Sequence, residues 1–259
     1  MPFPEAPDPR GLACFGRDTC VVTVRPRGGA LGHVTFDGGV SWTAIEPHLN
    51  IEELAGIQYD RLGRLYATSQ PYFGGSIVRS DDYGRSWRTV GEQAAVRRVS
   101  LVPGEDTLLF ALAEGGRLVA MDTSGAVLYE TTVPLRDNYT TDELRAFDRD
   151  RLHVANSRTL FRSADGGRTW DASPQPIARL IGFETSAVGV AVTTEEECVD
   201  YDVGLYRQVF AVTDDGGDNW EKATVRTSDL DHRISTCDYL GEGEWRCVMG
   251  SEVIALRRE

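Results

Sequence analysis

Apolar residues along this chain come in short runs, each closed by a cluster of Gly, Asp, Ser or Thr. Runs of four to eight residues bounded by turn formers predict β-strands. One stretch shows the order plainly. Glu143 to Phe147, Leu152 to Ala155 and Thr159 to Arg162 are three strand-like runs, followed by a polar turn and by Trp170, which opens a fourth. First runs of the same kind recur at Gly11 to Phe15, Glu53 to Gln58, Val96 to Val102, Arg179 to Phe183 and Arg233 to Tyr239. No stretch approaches the ~20 apolar residues that a membrane-spanning helix needs.

The turn before the fourth strand repeats as Ser/Thr-x-Asp-x-Gly-x-Ser/Thr-Trp. Copies run from Thr35 to Trp42, Ser80 to Trp87, Ser163 to Trp170 and Thr213 to Trp220, the last with Asn219 in the seventh place. The tryptophans at 42, 87, 170 and 220 are spaced by 45, 83 and 50 residues. The double spacing predicts a degenerate copy between the second and third. Met121 to Leu128 fits: Gly125 is in register, Asp122 is displaced by one place, and Leu128 stands where the Trp would be.

Each position has a physical task. Asp37, Asp82, Asp165 and Asp215 are placed to accept hydrogen bonds from backbone N–H groups of their own turns. The Gly supplies a positive φ that other residues resist. The hydroxyl residues tie the turn to the next strand. Trp42, Trp87, Trp170 and Trp220 are expected to bury their rings between neighbouring sheets. Four strands per repeat match a propeller blade. The chain of 259 residues is therefore predicted to be all-β, a six-bladed β-propeller with four-stranded antiparallel blades. Residues 1–10, rich in Pro, form a linker or tail, and residues 11–259 form the single domain. The last unit has no turn copy and no fourth strand, so an N-terminal segment is expected to supply the missing edge and close the ring.

These motifs resemble the Asp-box family, also called bacterial neuraminidase repeats, over roughly residues 11 to 258. That family includes sialidases, sortilin-type receptor ectodomains, some glucan hydrolases and a photosystem II assembly factor, so it implies a fold more firmly than a function. The resemblance implies that the Asp-box hairpins join the third and fourth strands and lie away from the usual active face, which makes the four turn aspartates structural. It implies that function sits on the loops between second and third strands and between blades. There the sequence offers Tyr72 and Phe73; Arg136 and Tyr139; Glu195, Glu196, Glu197, Asp200, Tyr201 and Asp202; and His232. Together they form an acidic rim with aromatic members, a composition common at contact surfaces; acidic loops that merely keep a propeller soluble are the alternative.

A sialidase would need three Arg to grip a carboxylate, a Tyr–Glu nucleophile and an Asp acid–base residue. The first inner strand, Gly11 to Phe15, carries no Arg and no Arg-Ile-Pro motif. Arg97, Arg98, Arg145, Arg179 and Arg233 lie on inner strands, where pairing with carboxylates such as Asp148 is the simpler role. No catalytic residue is assigned. The four His are far apart and show no metal spacing. No cofactor is expected, although the carboxylates of residues 195–202 offer oxygen ligands of the kind Ca²⁺ takes.

Charge and cysteines narrow the setting. The net charge of −13 repels phosphate backbones and argues against nucleic acid. Lys222 is the sole lysine, a bias of high-GC bacterial genes. Cys14 and Cys20 flank one short turn, and Cys237 and Cys247 flank another. Residues equidistant from a hairpin turn face each other, so two cross-strand disulfides are expected, with Cys198 left over. Disulfides imply an exported protein, whether secreted, periplasmic or surface-anchored; buried free thiols in a cytoplasmic protein are the alternative. The reading is a monomeric, non-catalytic binding or assembly-scaffold propeller whose partner is a protein or a glycan, with a sialidase-like hydrolase or a carbohydrate-binding lectin as alternatives.

Overall fold

The computed structural model describes the chain except residues 1–8, 25–30, 47–50, 52, 70–74, 92–94, 106, 136–142, 157–158, 175–178, 198–204, 224–233, 242–243, 250–251 and 258–259. The first sheet contains β1 (Pro9–Phe15), β2 (Thr19–Val24), β3 (Gly32–Thr35) and β4 (Thr43–Ile45). The second contains β5 (Leu54–Tyr59), β6 (Leu65–Ser69), β7 (Ile77–Ser80) and β8 (Arg88–Thr89). The third contains β9 (Val96–Leu101), β10 (Leu108–Ala113), β11 (Arg117–Asp122) and β12 (Val127–Thr132). The fourth contains β13 (Glu143–Ala146), β14 (Leu152–Ala155), β15 (Thr159–Ser163) and β16 (Asp171–Pro174). The fifth contains β17 (Arg179–Phe183), β18 (Gly189–Glu197), β19 (Leu205–Thr213) and β20 (Glu221–Ala223). The last contains β21 (Ile234–Gly241), β22 (Glu244–Met249) and β23 (Glu252–Arg257).

Within each sheet consecutive strands pair antiparallel. The first strands form a ring: β1 lies against β5, β5 against β9, β9 against β13, β13 against β17, β17 against β21, and β21 against β1. This is a propeller, with a correction to its blade count. Five four-stranded blades form rather than six, and the remaining sheet has three strands among the described residues. An N-terminal segment was expected to fill this edge; residues 1–8 lie outside the described residues. Among the described residues β23 pairs with β22 alone.

The repeated octapeptide joins the third and fourth strands of its sheet, and its bonding is the same four times. The hydroxyls of Thr35, Ser80, Ser163 and Thr213 donate to the Asp two places on, at 2.8, 2.8, 2.9 and 2.8 Å. The same oxygens accept from the amides of Gly39, Gly84, Gly167 and Gly217, at 2.8, 2.8, 2.7 and 2.9 Å. Each Asp then receives the amide and the side chain of the residue four places on, as in Ser41 N and Oγ to Asp37 at 2.9 and 2.6 Å. Donors around a carboxylate favour its ionised form. The side chain and amide of Ser41 hold Asp37 down to about 2, and those of Thr169 do the same for Asp165. The degenerate turn keeps the principle with a shifted residue: Asp122 accepts from the Ser124 amide at 2.8 Å and the Ala126 amide at 3.0 Å.

The turn glycines have φ of 92°, 89°, 85° and 91° at Gly39, Gly84, Gly167 and Gly217. From the second sheet on, the turn glycine also presses on the sheet before it. A Cβ would lie 3.0 Å from Ile45 at Gly84, 2.7 Å from Leu118 at Gly167, and 2.6 Å from Leu160 at Gly217. At Gly125 it would lie 2.3 Å from the Gly91 amide nitrogen. The tryptophans follow the same direction. Trp87 is buried between the first and second sheets, Trp170 packs between the third and fourth, Trp220 between the fourth and fifth, and Trp42 against the cluster shared with Val248 of the last sheet. Of the four only Trp87 is fully buried. The other three are half-buried. The last sheet lacks a turn Trp, and Trp245 of β22 takes its place by covering Gly182 of β17.

Both disulfides form as expected, Cys14–Cys20 and Cys237–Cys247, each between residues directly opposite in the ladder. Cys198 lies outside the described residues. No helix among the described residues is long and apolar enough to cross a membrane.

A paired substitution separates backbone strain from inter-sheet packing. Gly16 has φ of 72° with open space around it, whereas Gly125 has φ of 99° and abuts backbone. Gly16→Ala is expected to cost ~1 kcal/mol from its left-handed conformation. Gly125→Ala is expected to cost a further ~1–3 kcal/mol from overpacking, measured as the difference in urea unfolding free energy.

Candidate functional site

The turns after first strands and the octapeptide turns share one face of the ring. Their backbones are joined: the amides of Gly38, Gly166 and Gly216 donate to the carbonyls of Asp18, Asp150 and Ala187 at 2.9, 2.8 and 2.7 Å. On that face the ends of the inner strands surround a cavity of about 350 Å³. Its wall comes from Cys14 and Phe15 of β1, Tyr59 at the end of β5, Arg145 of β13, and Asp238 and Tyr239 of β21, with Arg61 and Glu105 at the rim. Residues from five sheets thus meet at one end of the channel.

Asp238 is the chemical centre of this cavity. Its Oδ2 accepts the Cys14 amide at 2.7 Å, across the junction between the last sheet and the first. The residue keeps some surface, yet its carboxylate is enclosed. Enclosure pushes its pKa up to about 6, against the opposing pull of the Cys14 amide and the Arg145 charge. Beside it, the Tyr239 hydroxyl donates to Glu184 at the end of β17. Glu105 is neutralised by Arg149 at 3.0 and 2.8 Å. Asp60 is bound by Arg64 and by the amides of Leu62 and Arg64, both at 2.9 Å.

The residues proposed from sequence fall elsewhere. Glu195, Glu196 and Glu197 belong to β18, where the ladder places them opposite Arg207, Tyr206 and Leu205. Residues 194–204 are therefore not wholly a loop. Polar Thr194 to Glu197 continue the strand because β19 supplies a partner for every one of them. This hairpin points away from the turn face. Tyr72, Phe73, Arg136, Tyr139, Asp200, Tyr201, Asp202 and His232 lie outside the described residues, as does most of the candidate Ca²⁺ loop. Among the described residues no group of three potential metal ligands occurs.

Of the five inner-strand arginines, the three whose side chains are described, Arg97, Arg98 and Arg145, do not converge, while the Arg179 side chain and Arg233 lie outside the described residues. Arg145 lines the cavity, while Arg97 pairs with Glu114 at 2.9 Å and Arg98 donates to the Arg97 carbonyl at 2.9 Å. Asp148, expected as a partner for such arginines, instead binds Arg151 at 2.6 Å, three residues on in its own turn. His153 is a core residue: buried between Phe147 and Phe183, at 4.7 and 4.5 Å between ring centres, it is held down to about 3 by burial and the Arg162 charge. Sequence reasoning missed Asp238, Tyr59 and Arg61. Their one signal was position, at the far ends of the predicted first strands.

No family model matches the chain, and no curated protein matches it. Solved structures do. YCF48 bound to D1 peptide is 10% identical with a TM-score of 0.63, covering 98% of this chain and 94% of that one. Virginiamycin B lyase from Staphylococcus aureus, in a catalytically inactive form with Quinupristin, is 12% identical with a TM-score of 0.58, covering 98% and 96%. An ancestral GH74 enzyme is 14% identical with a TM-score of 0.61, covering 95% of this chain but 35% of its own. At such identities the likeness shows the propeller fold alone.

The raised pKa of Asp238 has a defined pH signature. Between pH ~4 and ~6 the folded state holds a proton that the unfolded state has lost. The group's contribution to stability is full below ~4 and is lost as pH rises through about 6. Asp238→Asn keeps an acceptor for the Cys14 amide and removes the charge. Its unfolding free energy relative to wild type is expected to rise between pH 4.5 and 7 in urea titrations. Asp238→Ala strands the amide and is expected to cost ~1–3 kcal/mol at both pH values.

Proposed function

We propose that this chain is a non-catalytic binding or assembly-scaffold propeller of the Asp-box type, from an exported bacterial protein, and that its partner is a protein. The observation that carries this reading is the β18–β19 hairpin. Its strands of nine residues each exceed those of every other sheet and extend the ladder on the face opposite the octapeptide turns. A paired ladder fixes backbone that a loop would have to order on binding. It ends in Glu195, Glu196 and Glu197, followed in sequence by Asp200 and Asp202. Negative charge at the tip suits a basic partner. The two disulfides support export, since such bonds persist in oxidising compartments. That YCF48, a propeller of the same fold, is seen with a peptide supports a protein partner by analogy.

One observation favours a second reading, a sialidase-like glycoside hydrolase. The Tyr239–Glu184 pair beside the enclosed Asp238 holds two of the needed groups. Against it stand the cavity's place on the turn face and its arginine complement of Arg61 and Arg145.

The binding reading is tested with a short fluorescein-labelled peptide of alternating lysine and leucine, followed by anisotropy. Saturable binding that weakens with salt, and weakens ~10-fold when Glu195, Glu196 and Glu197 are changed together to Gln, is the expected outcome. Replacing Tyr72 and Phe73 with Ala is expected to weaken it as well. Binding unchanged in both variants, each folded by circular dichroism, removes the hairpin face from the proposal.

A further inference from the structure

Among the described residues, several large apolar side chains remain exposed on the octapeptide face. They are Phe15, Phe36, Val40, Leu62, Val127 and Leu128. All six sit in, or directly beside, turns of the octapeptide face, within the first three sheets. On the first two sheets Phe15 and Phe36 are linked into an aromatic line by two half-buried rings, Tyr59 and Tyr83, which also pack on the core between these sheets. Phe15 meets Tyr59 at 5.6 Å between ring centres, Tyr59 meets Tyr83 at 6.5 Å, and Tyr83 meets Phe36 edge-on at 5.3 Å. The line begins at the cavity, which Phe15 and Tyr59 also wall, and ends where Arg85 lies 6.0 Å over the Phe36 ring.

Tyr83 marks this line as more than leftover surface. In the other three full turns the place before the conserved glycine is Gly38, Gly166 or Gly216, all with positive φ. Here a Tyr holds φ of 61°, a conformation that costs a bulky residue free energy. The strain sets a ring between Tyr59 and Phe36.

In a chain of net charge −13, Asp60 is paired with Arg64 and Asp81 with Arg79 and Arg88, while Asp37 and Asp82 stay ionised inside their turn hydrogen bonds. Among the described residues Arg61 and Arg85 are exposed and no ion pair is found for either, Arg145 faces Asp238 in the cavity, and Arg17, with a side chain 69% exposed, makes one long pair with Glu244 at 3.7 Å. Aromatic rings interleaved with exposed guanidinium groups are the composition of binding hot spots.

We propose that this turn face of the first two sheets is a second docking surface, and that it takes an acidic polypeptide segment of a protein partner whose carboxylates alternate with apolar side chains. The apolar side chains lie along the Phe15–Tyr59–Tyr83–Phe36 line. The carboxylates meet Arg61, Arg85 and Arg17, with Arg145 inside the cavity. Its charge preference is opposite to that of the β18–β19 hairpin, so the two surfaces are distinguishable in one crossed experiment.

The probe is a short fluorescein-labelled peptide of alternating glutamate and leucine, read by anisotropy on the full chain. Saturable binding is expected, weakened ~10-fold or more by Arg61→Glu with Arg85→Glu and by Phe36→Ala, and unchanged by the joint Gln substitution of Glu195, Glu196 and Glu197. Tyr83→Gly restores the residue type of the sister turns while deleting the ring, so its loss of binding does not come from misfolding. The proposal is overturned by the absence of saturable binding, by equal binding to all turn-face variants, or by loss of binding in the glutamate-to-glutamine variant. It is overturned equally if sedimentation shows that the wild-type chain self-associates and Phe36→Ala abolishes this, since the face then belongs to a second copy.

Discussion

The arrangement of this propeller depends on one hydrogen-bonded turn. A serine or threonine oxygen accepts a glycine amide while its proton goes to an aspartate, and the aspartate reaches forward to bind the start of the next strand. That closes the turn with two successive residues at positive φ and leaves the second without a side chain. The vacancy is filled by the neighbouring sheet, at Ile45, Leu118 or Leu160. A local turn thereby becomes the spacer that sets how closely sheets approach. The third sheet shows what is retained when the motif decays: Asp122 moves, Gly125 stays, and the Trp is dispensable. Its fourth strand is held instead by the Tyr129 and Thr131 hydroxyls on the carbonyls of Gly166 and Gly167, at 2.9 and 2.7 Å.

The place where the ring closes is built differently. Among the described residues the last sheet has three strands, and Trp245 of β22 covers Gly182 of the sheet before it. Closure rests on Val248 packing with Leu12, Val22 and Trp42, on the Cys14 amide bound to Asp238, and on the pair Arg17–Glu244. A buried carboxylate with a raised pKa is tolerated there because removing it would leave an amide without a partner. The cavity opens at this junction, so the weakest-templated seam of the fold also holds its most unusual ionisable group.

Much of this was legible in the sequence, for local reasons. The six first strands were visible because each alternates and ends in turn formers, and β9 and β17 begin at the residues expected. The disulfides followed from equal distances to a turn. What stayed hidden was set by distant contacts. Cys14 and Asp238 are 224 residues apart, and nothing near either residue announces the other. Glu195 to Glu197 read as loop because polar residues show no apolar alternation, yet pairing with β19 makes them strand. The tryptophans were read as buried from their chemistry, while three of the four are half-buried, a degree that sequence spacing does not encode.

The two disulfides sit on either side of the closing seam, but neither crosses it. Each joins residues within one hairpin, separated by six and ten positions. In covalent terms the oxidised chain therefore remains an open line with two small loops near its ends. A protease cut in any link between sheets yields fragments that part on denaturation without reductant, since no cystine bridges them. Conversely, a circularly permuted chain whose new ends fall between other sheets would keep both cystines intact and place its cut away from Asp238. The ring is a geometric closure rather than a covalent one, and its end-to-end strength under tension is that of the packing at a single joint.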